Sequence, residues 1–293
     1  MTNKILNSFN ESGFLHLETV LSESRVETLR NEISKLYEFQ KEQDGRSEKL
    51  KDISEYESLR SILVEPTIIN TVKSILGEDI VYIKDSAIHK GEGIAGWHKD
   101  IRHSDRYDFN TDDWAEDYSI VRVGIYLQDT VNTSGGLMIK LGSHNPKNWI
   151  KKIVNKANDA LRNTNNNLLK SFLNFFIVQV IRACGKSAFF NNKKGDIGIW
   201  SLRTTHSGGA KRLKIFSDYP LDPFISKKLP SFIFKSEVEE RMVLFFAYGK
   251  KDKHLNNYYE YLKGRDDYSS KYGNEIKLSD SAKKFLHDNG IDS

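Results

Sequence analysis

Three side chains with metal-binding chemistry stand far apart in this sequence, and their spacing limits the folds that could use them together. His98 and Asp100 are two positions apart, so on a strand both would point to the same side. His206 follows His98 by 108 residues, which is too long a separation for one local motif. A β-barrel or a two-sheet jelly roll places distant strands side by side. We therefore expect a mainly β core with flanking helices.

Two imidazoles and one carboxylate on one ion are typical of ferrous iron sites that keep positions open for a co-substrate and dioxygen. The pair alone is weak evidence, because short motifs of this kind also occur by chance on solvated surfaces. At this point the sequence predicts metal ligation by His98, Asp100 and His206, with a solvated surface pair as the competing interpretation.

Five stretches, in order, cover most of residues 9–249: FNESGFL at 9–15, the His98/Asp100 pair, SGGL at 134–137 running into LGSH at 141–144, GDIGIW at 195–200 leading to His206, and a final arginine-led strand. Together they resemble the phytanoyl-CoA dioxygenase family of iron(II)- and 2-oxoglutarate-dependent oxygenases. The resemblance implies a double-stranded β-helix (jelly-roll, cupin-like) core. It also implies iron(II), 2-oxoglutarate and dioxygen as cofactor and co-substrates.

The same resemblance implies a reaction. It predicts a dioxygenase that hydroxylates a C–H bond of a small or medium organic substrate, of a lipid-like or natural-product kind, and releases succinate and CO2. Related enzymes that transfer halide have a small residue in place of the carboxylate, whereas this chain keeps Asp100. Hydroxylation, or another oxidation without halogen, is therefore expected.

In the family, an arginine binds the far carboxylate of 2-oxoglutarate through a planar set of N–H donors. Two arginines compete for this role. Arg241 opens a strongly apolar strand, as the family arginine does, but it stands 35 residues after His206, whereas Arg212 stands only six after it. Three prolines between His206 and Arg241 indicate that an inserted loop accounts for this longer separation. We therefore expect Arg241 to bind the far carboxylate of 2-oxoglutarate, and Arg212 to be a solvated charge in a basic segment.

Further polar residues near these motifs have secondary roles in this interpretation. Lys84, Lys90 and Ser207 could contact the co-substrate, but surface lysines and a serine that satisfies a turn are the simpler expectations. His103 could touch substrate at the mouth of the site, although an exposed loop position is simpler. His144 could brace the site from behind the metal ligands.

Length and periodicity predict the organisation of the chain. The 293 residues are expected to form one domain, 1–293. Helical spacing predicts helices over Ser22 to Phe39 and Pro66 to Leu76, the second with proline at its start and glycine after its end. A glycine pair at 135–136 between two apolar segments predicts a hairpin. A helical cap is expected at 255–293.

A helical insertion is expected at 145–194, and its second helix, 168–181, is apolar on most sides. Two interpretations stay open. The helix could be buried against the barrel. Alternatively, the insertion could act as a lid that lines a pocket for an apolar substrate, or could contact a membrane surface peripherally through 149–181 with the help of nearby lysines.

Charge and cysteine content exclude several classes of protein. The net charge of +4, from 44 basic and 40 acidic residues, is a small excess on a mixed background and argues against nucleic-acid binding. Cys184 is the only cysteine, which predicts a reducing, cytoplasmic location and no internal disulfide. No apolar stretch reaches the ~20 residues that a membrane-spanning helix needs. The expected partner is a small-molecule substrate, and the oligomeric state stays open.

Two other function classes remain alternatives. One is an enzyme on the same barrel that uses another divalent metal, and the other is a catalytically silent binding module. Fold and metal site are shared across many chemistries, so the sequence does not name the substrate.

Overall fold

The computed structural model describes residues 2–44, 50–91, 96–101, 108–183, 185–215, 220–236, 239–266, 268 and 277–293. In this part of the chain the strands are β1 (Phe14–Leu17), β2 (Ile80–Lys90), β3 (Ile120–Tyr126), β4 (Gly136–Leu141), β5 (Lys186–Phe190), β6 (Ile197–Ser201), β7 (His206–Ala210) and β8 (Met242–Lys250). The helices are α1 (Thr2–Ser12), α2 (Glu23–Asp44), α3 (Pro66–Leu76), α4 (Asn148–Asn163), α5 (Asn167–Ala183), α6 (Pro223–Ser226), α7 (Lys253–Lys263) and α8 (Asp280–Asp288).

The strands form two antiparallel sheets. The larger has the order β1-β6-β3-β8-β2, and the smaller has the order β5-β4-β7. Every residue of β3 and β6 is buried, since both strands lie inside the larger sheet and carry almost continuous apolar runs. This arrangement with flanking helices confirms the predicted mainly β, jelly-roll architecture.

Apolar side chains cover the larger sheet on both faces. On one side, residues of α2 and α3 pack against β3, β6 and β8; the buried cluster includes Val26, Leu29, Ile33, Ile68, Val72, Val123, Ile199 and Phe246. On the other side, Trp200 and Tyr126 of the larger sheet pack with Leu137, Ile139 and Phe190 of the smaller sheet. The two sheets therefore enclose a space between them, and the cavity described in the next section is lined by residues of both sheets.

The predicted hairpin at 135–136 is wrong. The two strands on either side of the turn, β3 and β4, belong to different sheets. β3 already pairs with β6 on one edge and β8 on the other, so it has no free edge for β4, which pairs instead with β5 and β7. Gly135, with a φ of +101°, turns the chain from one sheet into the other.

The two predicted scaffold helices are present. α3 has the predicted bounds, and Gly77 ends it with a φ of +98° and an N–H that donates to the Lys73 carbonyl at 2.8 Å. Ser22 caps α2, because its hydroxyl accepts the N–H of Arg25 at 3.2 Å. α2 continues to Asp44, five residues beyond the predicted end at Phe39, and residues 40–44 consist mostly of good helix formers.

The insertion folds as a pair of helices, α4 and α5, followed by strand β5. Ile177 and Ile181 of α5 are buried with Ile150 and Val154 of α4, whereas other large apolar residues of α5 are exposed. The interpretation that α5 is buried against the barrel therefore holds for only one side of this helix. In the part of the chain described, every helix is too short or too polar to traverse a bilayer.

The C-terminal segment packs its helices onto the sheet. Tyr258 and Leu262 of α7 join the cluster around β2 and α4, and Leu286 of α8 joins the cluster under α2 and α3. Cys184 lies outside the described residues.

Candidate metal centre

The side chains of His98, Asp100 and His206 converge in the structure. His98 pairs with the first residue of β7: the His98 N–H donates to the His206 carbonyl at 3.0 Å, and the His206 N–H donates to the His98 carbonyl at 2.9 Å. One potential ligand atom from each of the three residues lies within 4.8 Å of the other two. Asp100 oxygens lie 3.8 Å from His98 Nε2 and 3.6 Å from His206 Nε2.

Backbone carbonyls determine which nitrogen of each imidazole faces this cluster. His98 Nδ1 lies 2.7 Å from the Gly96 carbonyl oxygen, and His206 Nδ1 lies 3.0 Å from the Thr204 carbonyl oxygen. A carbonyl oxygen only accepts hydrogen bonds, so we assign the proton to Nδ1 in both rings. Each Nε2 then keeps a lone pair directed towards the region shared with Asp100.

A buried arginine connects Asp100 to a second carboxylate. Arg122, in the middle of β3, places Nε 3.5 Å from Asp100 Oδ2 and Nη2 2.8 Å from Asp85 Oδ2. The Tyr258 hydroxyl donates to the same Asp85 oxygen at 2.7 Å, and Trp200 Nε1 donates to Asp100 Oδ2 at 3.3 Å. These contacts fix the orientation of the Asp100 carboxylate.

The charges around Asp100 set the protonation states of the cluster. Burial alone would raise the pKa of Asp100, but the electrostatic attraction of His206, Arg122 and His98 for the carboxylate outweighs burial and holds that pKa below its usual range. Burial lowers the pKa of His206 to about 4, against the attraction of Asp100. At neutral pH the cluster therefore offers an ionised carboxylate and a neutral His206, the forms that bind metal ions.

A cavity of about 410 Å³ opens onto the cluster. Besides the three residues, its wall includes the apolar side chains of Leu137, Trp200 and Phe245 and the charged side chains of Asp85, Arg122, Arg241 and Arg265. Sites for small organic molecules have this size and this mixture of apolar surface with a few polar groups.

The structure separates the two candidate arginines. Arg241, directly before β8, lines the cavity, is buried, and donates through Nε to the Gly135 carbonyl at 3.3 Å. Arg212 does not line it; its guanidinium donates to the Asn191 side-chain oxygen and lies 4.2 Å from the centre of the Phe189 ring. The expectation that Arg212 is a solvated charge is wrong, because this side chain is only 2% exposed.

The other candidate residues lie away from the cavity. The Lys84 ammonium donates to the Lys277 carbonyl, and Lys90 forms an ion pair with Glu240 at 3.6 Å. Ser207 is fully buried in β7, and the next residue, Gly208, lines the cavity instead. His103 lies outside the described residues.

His144 contacts the N-terminal segment rather than the metal cluster. Its Nε2 lies 3.0 Å from the Asn10 carbonyl oxygen, and its ring lies 6.5 Å from that of Phe9. Burial lowers the pKa of His144 to about 4, with the nearby charge of Arg203 acting in the same direction. The native state therefore prefers the neutral ring.

This preference predicts a pH dependence of stability. Because the folded pKa is lowered, the contribution of His144 is fully present above its unfolded pKa, ~6.5, and is lost as the pH falls towards 4. Between pH 7 and pH 5 the free energy of unfolding should fall by about 2 kcal/mol more in wild type than in His144→Gln. Urea denaturation at both pH values measures this, with the exposed His287→Gln as control. Equal pH dependence in wild type and His144→Gln would contradict it.

Sequence reasoning missed two buried cations near the centre. Arg122 is the one charged residue in the apolar run of β3, and a lone charge in a buried strand is a signal for a buried partner. Lys99, between the first two cluster residues, is also buried, and its ammonium donates to the carbonyls of Ser143 (3.0 Å) and Arg203. It anchors the His98–Asp100 segment from the opposite side.

The phytanoyl-CoA dioxygenase (PhyH) family model matches residues 9–212, more than half of the chain. The ectoine dioxygenase of Streptomyces avermitilis is 26% identical in an alignment of 152 positions that covers 47% of this chain and 50% of that protein. The match therefore spans about half the length of this curated relative.

Solved structures of similar fold include three bacterial proteins. AviO1 from Streptomyces viridochromogenes is 13% identical with a TM-score of 0.52, covering 86% of this chain and 96% of that one. EctD from S. alaskensis, with 2-oxoglutarate and 5-hydroxyectoine, is 13% identical with a TM-score of 0.52, covering 85% and 76%. HygX from Streptomyces hygroscopicus, with nickel and 2-oxoglutarate, is 14% identical with a TM-score of 0.52, covering 86% and 88%. At these identities the likeness concerns the fold.

Proposed function

Because this chain belongs to the phytanoyl-CoA dioxygenase family, we propose that it is an iron(II)- and 2-oxoglutarate-dependent oxygenase that hydroxylates a C–H bond of a small or medium organic molecule. The observation that carries the proposal is the convergence of His98, Asp100 and His206 in a cavity that also contains Arg241. With iron(II) held by these residues, dioxygen would supply the oxidising equivalents, two for the substrate C–H bond and two for 2-oxoglutarate, which would leave as succinate and CO2.

The three side chains fit a divalent metal. Metal–nitrogen and metal–oxygen bonds of about 2.1 Å bring two ligands of one ion within about 4.2 Å of each other. The separations of 3.6 and 3.8 Å from Asp100 to the two Nε2 atoms meet this condition. We therefore assign His98, Asp100 and His206 as the ligands, with Gly96 and Thr204 carbonyls orienting the rings.

Arg241 fits the far carboxylate of 2-oxoglutarate. Its Nε donates to the Gly135 carbonyl. Its Nη2 faces Gly208, where a Cβ would lie 3.5 Å from that nitrogen, so the lack of a side chain at Gly208 keeps Nη2 uncovered on this side. The buried Tyr126 lies beside this arginine, with its ring centre 5.9 Å from the guanidinium carbon. Burial raises the pKa of Tyr126 to about 12, so it stays a neutral donor. Guanidinium and hydroxyl together suit a carboxylate.

The remaining wall of the cavity limits the substrate class. Leu137, Trp200 and Phe245 offer apolar and aromatic contact, while Arg265 offers a cation. A substrate with an apolar body, of a lipid-like or natural-product kind, fits this wall. The residues then act by holding the substrate and co-substrate in place and by excluding water. The cytoplasmic location expected from the cysteine content stays a prediction.

Anaerobic titration with iron(II) and 2-oxoglutarate tests the proposal. Wild type should show the weak visible charge-transfer band of a 2-oxoglutarate chelate on iron. Breaking one side of a buried arginine–carboxylate pair costs about 2–5 kcal/mol, so Arg241→Ala should raise the Kd for 2-oxoglutarate at least about 30-fold. Arg212→Ala is the matched control, because it removes another buried arginine and should leave that Kd nearly unchanged.

Each alternative gives a different result. A wild-type protein that binds iron but shows no charge-transfer band would contradict the oxygenase assignment. Loss of the band in Arg212→Ala alone would assign the binding of 2-oxoglutarate to Arg212. An enzyme that uses another divalent metal would turn over without 2-oxoglutarate and oxygen. A silent binding module would retain no iron and release no succinate with any candidate substrate.

A further inference from the structure

Helix α5 has a second apolar face that the described structure leaves in solvent. Leu168, Phe172 and Phe175 are 82%, 61% and 63% exposed. With Phe176 they stand at i, i+4, i+7 and i+8, so they form one stripe along the helix. The opposite face of α5 is already covered by α4 and the sheet, so this stripe contributes nothing to the described core.

Helix α4 presents an exposed face that mixes apolar and basic residues. Trp149, Lys152, Ile153 and Lys156 stand at i, i+3, i+4 and i+7, which puts them on one side of the helix. All four are exposed, Trp149 by 60%. Among the described residues, no carboxylate lies within ion-pair distance of Lys152 or Lys156. The one acidic residue of the hairpin, Asp159, is paired with Arg162 at 3.0 Å.

The positive charge of the whole chain is concentrated in this hairpin. Residues 148–183 contain six basic residues and one acidic residue, a net charge of +5, whereas the complete chain has +4. The rest of the molecule therefore has a net charge of −1. Scattered apolar residues are normal on a protein surface, but exposed aromatic residues grouped within a positively charged segment are typical of an interaction surface.

Two other occupants of this surface are less well supported. None of the described hairpin residues lines the cavity at the metal centre, so the hairpin is not part of the substrate wall. A second copy of the chain would bring two surfaces of charge +5 together, and like charges across an interface disfavour association. An anionic surface with an apolar interior complements both features of the hairpin.

We propose that the α4–α5 hairpin docks on the surface of an anionic lipid bilayer. Leu168, Phe172 and Phe175 enter the boundary between headgroups and acyl chains, and Lys152 and Lys156 contact lipid phosphates. The hairpin lies on the membrane and does not cross it. This binding site is separate from the metal centre and does not depend on the proposed oxygenase activity, although it would bring the enzyme to apolar substrates.

Co-sedimentation of the 293-residue chain with vesicles tests the proposal. Binding is expected to vesicles with about 30% phosphatidylserine, to weaken steeply with salt, and to be much weaker to phosphatidylcholine alone. Phe175→Ser should weaken binding about tenfold, while Phe39→Ser, which removes a similarly exposed phenylalanine (60%) from α2, should not. Lys152→Gln with Lys156→Gln should weaken it about twentyfold, and Lys4→Gln with Lys51→Gln, the same charge loss elsewhere, only slightly.

Folding and self-association are measured on the same proteins. All substituted side chains are exposed, so unfolding midpoints should stay within a degree or two of wild type, as for other surface changes. Equal binding to both vesicle types, or none to either at low salt, overturns the proposal. A wild-type dimer that Phe175→Ser converts to a monomer in sedimentation velocity, without vesicle binding, assigns the face to a second copy and also overturns it.

Discussion

His98→Ala is expected to lower the affinity for iron(II), or for nickel(II) as a redox-stable substitute, by more than about 100-fold. Changing a residue that only orients a metal ligand typically costs 10–100-fold, so loss of a ligand should cost more. His98 supplies one of the three converging donor atoms, and the Gly96 carbonyl holds its ring in the ligating orientation. Succinate release from 2-oxoglutarate should fall with metal occupancy. Anaerobic calorimetry and a succinate assay measure the two effects.

His89→Ala provides a matched control. His89 lines the same cavity, with its ring 5.5 Å from that of Phe245, but it is not one of the three clustered residues. Its loss should leave the affinity for the metal nearly unchanged, since His89 supplies none of the three clustered donor atoms. Equal metal affinity in wild type and His98→Ala, or an equal loss in both variants, would remove the support for this ligand set.

Local signals in the sequence predicted helices better than strand partners. Pro66 and Gly77 punctuate α3 because proline suits the first turn and glycine the position after the last. The glycines at 135–136 correctly mark a turn, but a turn does not specify which sheet the next strand joins. That choice depends on which edges are free, and β3 has both edges occupied by strands that come later in the sequence.

The candidate site was predictable where residue type and spacing carried the chemistry. Only a few residue types bind metal ions, so the order and spacing of His98, Asp100 and His206 were enough to predict that they act together. Arg122 was missed because its role depends on Asp85 in β2, a partner 37 residues away on a strand that is not its neighbour in the sheet. Arg212 was placed on the surface because Lys211 and Lys214 flank it, yet burial is set by tertiary packing.

The same limit applies to the insertion. A helix that is apolar on most sides indicates burial, but the pattern alone does not say which sides the protein itself covers. In α5 the side with Ile177 and Ile181 packs on α4, and the side with Phe172 and Phe175 does not. The structure therefore adds the information that divides one apolar pattern into a core face and an exposed face.

Arg122→Met is expected to have the largest effect on stability. Removing one partner of a buried ion pair costs about 3–5 kcal/mol, because the other charge stays buried without compensation. Among the described residues, Asp85 would keep the Tyr258 hydroxyl as its close polar partner, and Asp100 would keep Trp200 and the histidines. Urea unfolding in the presence of a chelator should show this loss.

Excess nickel(II) should restore part of the stability lost in Arg122→Met, and this recovery distinguishes a role at the metal centre from a general packing role. A bound cation neutralises the Asp100 carboxylate that Arg122 neutralises in the free protein, and without Arg122 the positive charge nearest to Asp100 no longer opposes the cation. Ligand binding stabilises by RT ln(1 + [L]/Kd), so the gain should be larger in the variant than in wild type. Arg203→Met is the control: Arg203 is also buried, but it donates to the Ala115 carbonyl at 2.8 Å and lies outside the metal cavity. An equal metal-induced gain in both variants would mean that Arg122 has no electrostatic connection to the metal.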